Sequence, residues 1–399
     1  MEFSPARSVA ENRIKNFLPK MGSHYSQFRN YDFGHGAHES VSCLSPWIRV
    51  RSVTEEDLVK ASLSEHDFSK AEKFIQEICW RTYWKGWLAQ RPSIWTHYLD
   101  DLEIAKKNFV GNLMYQNAIN GKTKFESFNT WATELTETGY LHNHARMWFA
   151  SIWIHTFKLP WVLGAAFFLE YLLDGDCASN TLSWRWVAGR QTIGKAYYAS
   201  AENIRKFTKG RLGSEESFNK PYSPEEDISG HPKAIDLEAL PIPDIENASG
   251  LLITDDDVRS WELFENHDQF SAIAGIFPTN AYHKHAIDKN VINFRKKLIK
   301  DSLSYTSHKE NQLDFFDEEN LADAVVAWAQ KKNLKHVYIA EPAVGFWSEI
   351  WPEIQNHLEK YSIHISIFRR PWDDAFFPHA KRGFFNLKRQ IPKVVSQFL

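Results

Sequence analysis

The chain has 399 residues, of which 43% are hydrophobic and 24% are charged, and its formal net charge is −3 at pH 7. This length and balance are those of a folded protein with room for two domains, and they exclude a disordered or collagen-like chain. The small negative charge excludes a wholly basic surface, so a nucleic-acid partner would need a local basic face.

The cysteines and the apolar runs give expectations about metals and location. Cys43, Cys79 and Cys177 lie far apart, form no CxxC pair, and are too few for a metal site with four cysteine ligands. No metal cluster is therefore expected. The charged N-terminus lacks the apolar core of a signal peptide, and the longest apolar runs, 147–157 and 159–169, are each shorter than a membrane span. We expect a cytoplasmic protein without a membrane segment.

In chain order, the pattern changes from helical to mixed. From residue 54 to 208, apolar residues recur at three- and four-residue spacing, and Thr54 is a typical helix N-cap. Residues 211–249 are rich in Pro, Ser and acidic residues, which predicts a linker. The remaining chain, 250–399, alternates short apolar runs with helical patterns. This alternation predicts a C-terminal α/β domain with a parallel, Rossmann-like sheet after a helical domain, 1–210. Strands are predicted at 250–254, 271–278, 336–342 and 363–370, and helices at 319–333 and 345–361.

Two motifs put charged and amide side chains among apolar residues. Residues 138–147 read TGYLHNHARM, and residues 172–186 read LLDGDCASNTLSWRW. A charged side chain buried away from water costs several kcal/mol unless a partner pairs with it. A ligand or a second protein group is therefore expected to face these residues.

Two further motifs complete a resemblance. EICWRTYW lies at 77–84, and YSQFRN followed by SVSCLSPWI lies between 25 and 48. In this order the four motifs resemble the α-helical FAD-binding domain of the photolyase/cryptochrome family, over roughly residues 20–208. Typical members put the α/β domain first, so the domain order here looks permuted. In relatives that domain either holds an antenna chromophore or holds none, and both remain open.

The resemblance implies how FAD would be held. Arg146 and Asp174 would form an ion pair beside the flavin ring, and Asn180 would lie at its N5 nitrogen. An amide cannot donate a proton to N5, which favours the reduced, anionic flavin. Outside these motifs, a structural Arg–Asp pair and a helix-capping Asn would account for the same residues. The other implied FAD contacts are Tyr25, Ser42, Leu44, Ser45, Phe74, Arg81, Asn143 and Asp176.

The resemblance also implies a substrate, a cyclobutane pyrimidine dimer flipped out of UV-damaged DNA. The Glu77 carboxylate would bond the pyrimidine edge, and Trp80 and Trp186 would stack against the rings. Plain helix packing is the alternative for both indoles. The other implied lesion contacts are Arg29, Arg81, Asn143 and Met147.

Electron supply is matched only in part. Trp184 and Trp161 match the first two members of the family's tryptophan chain, whereas the third member would align near Asn108. The exit would therefore use another residue, such as Tyr115 or Trp153.

These implications favour a light-dependent DNA-repair enzyme, a carbon–carbon lyase in which reduced FAD gives an electron to the dimer. Its catalytic residues would be Glu77, Trp161, Asn180 and Trp184. The alternative is a cryptochrome-like blue-light photoreceptor that signals through a protein partner. Residues 187–208, which differ from the DNA-facing segment of repair enzymes, and the missing third tryptophan favour that alternative. The basic stretch Phe377–Gln390 is interpreted as a solvated amphipathic segment rather than a DNA contact.

Overall fold

Helices make up the regular structure of the first half of the protein. The computed structural model describes residues 3–192, 195–213, 216–218 and 230–399. The helices are α1 (Arg7–Phe17), α2 (Ser23–Phe28), α3 (Ser45–Arg49), α4 (Glu55–Glu65), α5 (Phe68–Ala89), α6 (Ser93–Phe109), α7 (Leu113–Ile119), α8 (Glu126–Thr138), α9 (Asn143–Ser151), α10 (Trp161–Tyr171), α11 (Cys177–Val187) and α12 (Ala201–Phe207).

The start of α4 shows how the sequence sets a helix boundary. The Thr54 hydroxyl accepts a hydrogen bond from the Asp57 backbone N–H at 3.1 Å, and the Asp57 carboxylate accepts one from the Thr54 N–H at 2.9 Å. This capping box satisfies N–H groups that the first turn leaves unpaired. The predicted N-cap at Thr54 is confirmed.

The second half forms an α/β layer structure. Within the described residues its five strands make one parallel sheet in the order β3-β2-β1-β4-β5. The predicted helical domain followed by a parallel α/β domain is therefore confirmed. The elements are β1 (Ser249–Ile253), β2 (Ala272–Ile276), α13 (Thr279–Lys284), α14 (Lys289–Leu303), β3 (Leu313–Phe316), α15 (Leu321–Lys331), β4 (His336–Ala340), α16 (Phe346–Lys360), β5 (His364–Phe368), α17 (Pro371–Phe376), α18 (Phe384–Lys388) and α19 (Ile391–Val395).

The two faces of the sheet join different cores. Successive strand side chains point to opposite faces, so Leu251 and Ile253 join the core shared with the helices of the first half. Leu252 joins a second core under α15 and α16. One hydrophobic core thus runs from the helical half into the sheet.

Several elements of the second half were not predicted from the sequence, among them α14 and β3. The buried residues of α14 recur at three- and four-residue spacing, a helical pattern that the prediction did not use, and β3 is a half-buried edge strand of four residues. Of the predicted linker, 230–246 contains neither helix nor strand, whereas 214–215 and 219–229 lie outside the described residues. No helix in the described ranges has the length and apolar character needed to cross a bilayer.

Candidate cofactor and substrate site

The ion pair between Arg146 and Asp174 is present and bidentate. Arg146 lies on α9, and its Nη1 and Nη2 donate to the two Asp174 carboxylate oxygens at 3.0 and 2.8 Å. Its Nε donates to the Leu141 carbonyl at 2.8 Å, which fixes the guanidinium plane. Burial acts to lower the pKa of Arg146, but the Asp174 carboxylate outweighs burial and raises that pKa. The Arg146 side chain keeps 23% of its surface exposed, so one side of the pair is open.

Asp176 is a buried carboxylate surrounded by cations. Its Oδ1 accepts from the Ser179 N–H at 2.7 Å and caps α11. Burial acts to raise the pKa of Asp176, yet Arg81, Arg49 and Lys85 together hold that pKa below its ordinary value. The carboxylate therefore stays charged in an interior where an unpaired charge would be costly.

Arg81 provides an observation that fits an anionic ligand. Its Nη2 donates to the Arg49 carbonyl at 2.8 Å. Its Nε and Nη1 are buried and have no hydrogen-bond partner in the part of the chain that the structure describes, and Nη1 lies 3.6 Å from Glu55 Oε1. Unsatisfied guanidinium donors beside a ring of charges can bind the hydrogen-bond acceptors of a cofactor such as FAD. By this criterion the donor set fits the expected cofactor.

Asn180 lies one turn into α11 and is 8% exposed. Its Nδ2 donates to the Ala165 carbonyl at 2.9 Å and so ties α11 to α10. This bond fixes which way the amide oxygen points. The predicted contact between Asn180 and a flavin stays a prediction.

The residues predicted to hold the phosphates and adenine cluster around α2 and α3. The Tyr25 ring meets the Phe74 ring edge-on at 5.2 Å, and burial raises the pKa of Tyr25 well above its ordinary value. Leu44 is buried, and Ser45 begins α3. Ser42 is half-buried and precedes Cys43, whose φ of 52° makes the chain turn sharply there.

The predicted lesion contacts on α5 already have protein partners. Glu77 accepts a hydrogen bond from Arg29 Nη1 at 2.6 Å. Burial raises the pKa of Glu77, although Arg29 opposes the shift. One face of Trp80 is covered by Phe384, with ring centroids 3.7 Å apart and 11° between the planes. Phe384 is not among the predicted site residues, and its only signal in the sequence is an apolar Phe-Phe doublet inside a basic stretch.

The remaining predicted lesion contacts lie on α9 and α11. Asn143 is exposed and Met147 is half-buried, four residues apart and so on one face of α9. Trp186 is half-buried and stacks on Tyr197, with centroids 5.6 Å apart.

The aromatic contacts of Trp184 lead to Trp153. The two ring centroids are 6.2 Å apart at 83°, and Trp153 meets the half-buried Tyr115 at 5.9 Å and 88°. Trp161 instead contacts Tyr98 at 5.7 Å. Both residues suggested from the sequence as substitutes for the third tryptophan therefore lie in one continuous series of rings.

A cavity of about 90 Å³ lies where the carboxyl ends of β1, β4 and β5 meet α5 and α11. Lys85 and Asp176 line it from the helical half, and Asp256, Asp257 and Arg370 line it from the sheet half. Ligand pockets usually measure about 300–1,000 Å³, so this cavity has room for a few water molecules only. Groups of three or more His, Cys, Asp or Glu side chains placed to bind a metal are absent from the described ranges.

Comparison with known proteins matches the helical half. Residues 74–229 match the family model described as the FAD binding domain of DNA photolyase. The chain is 30% identical over 166 residues to a deoxyribodipyrimidine photo-lyase of Streptomyces griseus, covering 41% of this chain and 36% of that protein. It is 25% identical over 192 residues to one of Vibrio cholerae, covering 47% and 40%.

Among solved structures, a class III photolyase from Agrobacterium tumefaciens aligns with a TM-score of 0.44 and 22% identity, covering 51% of this chain and 43% of that one. The chain spans about two fifths of the length of the curated relatives it matches.

Proposed function

We propose that this chain is a member of the photolyase/cryptochrome family and a deoxyribodipyrimidine photo-lyase that uses light to repair cyclobutane pyrimidine dimers in UV-damaged DNA. The observation that supports this most is the buried Arg81 guanidinium beside Asp176, with two unsatisfied nitrogens inside the matched region. Such donors suit an anionic cofactor held out of water.

FAD, when bound and reduced, supplies the light absorption and the electron that splits the dimer. Arg146 provides a fixed positive charge for the flavin, and Asp174 keeps its guanidinium in one plane. The unsatisfied nitrogens of Arg81 would donate to the cofactor at the other part of the site, and Asp176 would keep the Arg81 guanidinium charged beside it. Asn180, oriented by its bond to the Ala165 carbonyl, would offer no acidic proton to a bound flavin, which would favour the reduced, anionic form.

On the substrate side, Glu77 accepts a hydrogen bond from the pyrimidine edge, and Arg29 keeps its carboxylate in position. Trp80 and Trp186 provide aromatic surface for the two rings. Asn143 and Met147 extend the same surface from α9. Trp184 would supply an electron to a bound, oxidised flavin, and the rings of Trp153 and Tyr115 would return an electron to Trp184.

A cryptochrome-like photoreceptor, which would keep FAD and bind a protein partner, is the second candidate. The observation that favours it is the Phe384 ring stacked on Trp80, since that ring occupies one face of the indole proposed for the lesion. Repair then depends on the other face and edge of Trp80.

The test is dimer loss under light. Protein loaded with FAD and chemically reduced is mixed with an oligonucleotide that contains one dimer, illuminated with blue light, and the dimer is measured by chromatography. We expect dimer loss in light and none in darkness. Glu77→Ala should reduce the yield per photon at least tenfold, whereas Glu103→Ala, at an exposed position of α6, should not change it. Dimers that persist under light while the flavin is reduced contradict repair and support the photoreceptor.

A further inference from the structure

The last 25 residues form a local basic segment on a chain that is otherwise slightly acidic. Residues 375–399 contain Lys381, Arg382, Lys388, Arg389 and Lys393 and no Asp or Glu, although the whole chain has a formal charge of −3. We call residues 375–399 the basic segment. Its charge is the kind of local face that a nucleic-acid partner requires.

The basic segment is fixed to α5, the helix that carries Glu77 and Trp80. Gly86 allows close approach, because a Cβ there would lie 2.7 Å from the Phe377 ring. Gln90 Nε2 donates to the Phe377 carbonyl at 2.8 Å, and Arg91 Nη2 donates to the Lys381 carbonyl at 2.8 Å. With Phe384 stacked on Trp80, the segment is anchored at several points along α5 and lies next to the proposed lesion site.

The solvent-facing side of the basic segment carries cations and one exposed aromatic ring. Phe385 is 72% exposed, although its neighbour Phe384 is buried. Arg382, Arg389 and Lys393 are exposed, and none forms an ion pair with an acid in the described ranges. Lys381 pairs with Asp236, and Lys388 lies 3.5 Å from Glu72. An exposed phenyl ring next to cations without acidic partners offers a stacking surface and positive charge at the same place.

We propose that the basic segment binds the sugar–phosphate backbone of DNA beside the lesion, and that Phe385 stacks on a base left unpaired when the dimer flips out. Arg382, Arg389 and Lys393 neutralise phosphates, which positions the duplex without reading its sequence. An exposed aromatic side chain stacks on an unpaired base of any identity. This inference rests on the proposed function, which brings damaged DNA to Glu77 and Trp80, and it changes the interpretation of Phe377–Gln390 made from the sequence.

The first experiment measures DNA binding in darkness. The affinity of the full chain for a fluorescent duplex is measured at several salt concentrations, with and without one dimer in the duplex. The triple variant Arg382→Gln, Arg389→Gln, Lys393→Gln should make the slope of log K against log salt shallower by about 2–3, because each phosphate contact contributes roughly 0.9. The matched control is Lys331→Gln, Lys335→Gln, Lys360→Gln, three exposed lysines at the amino edge of the sheet, and it should leave the slope unchanged.

The second variant tests the stacking ring. Phe385→Ala should lower the preference for dimer-containing over undamaged duplex by about fivefold or more, the range expected for one base–aromatic stack. Phe385→Tyr should retain the preference. Phe385 is exposed, so the thermal unfolding midpoint of both variants should match that of the wild type and exclude misfolding as the cause.

The outcomes separate the inference from the proposed function. A salt slope that is the same for the triple variant and the wild type overturns the inference, even if light removes dimers. A shallower slope without light-driven dimer loss supports the DNA contact and contradicts repair. Binding of the wild type to polyglutamate with an equal salt slope assigns the segment to acidic partners in general and overturns its placement on DNA.

Discussion

The ion pair of Arg146 with Asp174 differs from the ion pairs of Arg49 and Arg51 in how many carboxylates each guanidinium meets. Among the residues that the structure describes, Arg146 pairs with one carboxylate, that of Asp174 in the helical half, and the Arg146 side chain is 23% exposed. Arg51 contacts both Asp373 carboxylate oxygens at 2.7 Å and lies near Glu55 and Asp257. Its side chain is only 4% exposed.

The difference separates the candidate cofactor site from a structural interface between the two halves. We call the ion pairs of Arg49 and Arg51 with Asp256, Asp257 and Asp373 the seam. Arg49 and Arg51 come from the helical half, whereas Asp256, Asp257 and Asp373 follow strands β1 and β5. These arginines have little hydrogen-bonding capacity left for a ligand, so they hold the two halves together. Arg146 keeps an open side and can meet a cofactor. Buried charge alone therefore does not mark a functional site, and the number of protein partners per charged group distinguishes the two cases.

The largest expected effect lies at the seam. Arg51→Met should lower the free energy of unfolding by about 3–5 kcal/mol, because it leaves buried carboxylates without their cation. Methionine keeps a long side chain and places the same demand on the backbone, where Arg51 has a φ of 56°. Urea unfolding monitored by circular dichroism measures the change.

Arg146→Met is the matched control for that comparison. It should cost about 1–2 kcal/mol of stability, because it leaves one carboxylate without its cation rather than three, and it should weaken FAD binding by at least tenfold. Fluorescence titration with FAD measures the affinity. Equal destabilisation by the two variants would remove the distinction between site and seam.

Acid should weaken the site before the seam. His142 is buried, and its Nδ1 accepts a hydrogen bond from the His144 N–H at the start of α9. Burial lowers the pKa of His142 to about 3, with His38 and Arg146 acting in the same direction and Asp32 opposing them. The ring is neutral when folded but takes up a proton when unfolded below about pH 6.5. Its contribution is therefore complete above pH 6.5 and is lost as pH falls toward 3.

From pH 6.5 to 5, the wild type should lose about 2 kcal/mol more stability than His142→Asn, which keeps a capping side chain and cannot titrate. At the seam, burial acts to raise the pKa of Glu55, but Arg51 and Arg81 lower it to about 2, so that stabilisation persists down to about pH 4.5 and is lost below it. Urea unfolding at both pH values measures the difference. An identical loss in His142→Asn would show that another group near α9 titrates.

The smallest expected effect concerns electron supply, away from the seam. With FAD oxidised and a thiol reductant present, Trp153→Phe should slow light-driven flavin reduction about tenfold, because it interrupts the series from Trp184 to Tyr115. Trp161→Phe should slow it less than twofold. The blue absorption band of oxidised flavin measures the rate. The reverse order of effects would assign the route to Trp161.

Much of the fold could be predicted from local patterns. The helical spacing after Thr54 and the apolar runs before Thr254 and Glu341 each specify an element within a few residues. Helix α14 has the same helical spacing and could have been predicted, whereas β3 has only four residues, too few for an alternating pattern to be recognised.

The candidate site also has a part that could be predicted from the sequence and a part that could not. Arg146 and Asp174 are found because both lie in motifs that resemble a known family, and their pairing is seen in the structure. The stack of Phe384 on Trp80 joins residues about 300 positions apart, and no local pattern in either segment specifies that contact. Likewise, the run of three aspartates from Asp255 to Asp257 gives no indication of the arginines that neutralise it.

The shared core determines how the protein should behave when the chain is divided or unfolded. Because Leu251 and Ile253 pack in the same cluster as residues from the helices, the interior belongs to neither half alone. Cutting the chain near residue 230 would leave one fragment with a bare sheet face and the other with arginines that have lost their counter-ions. The two pieces should therefore be insoluble when expressed separately, and the intact chain should melt in a single cooperative transition.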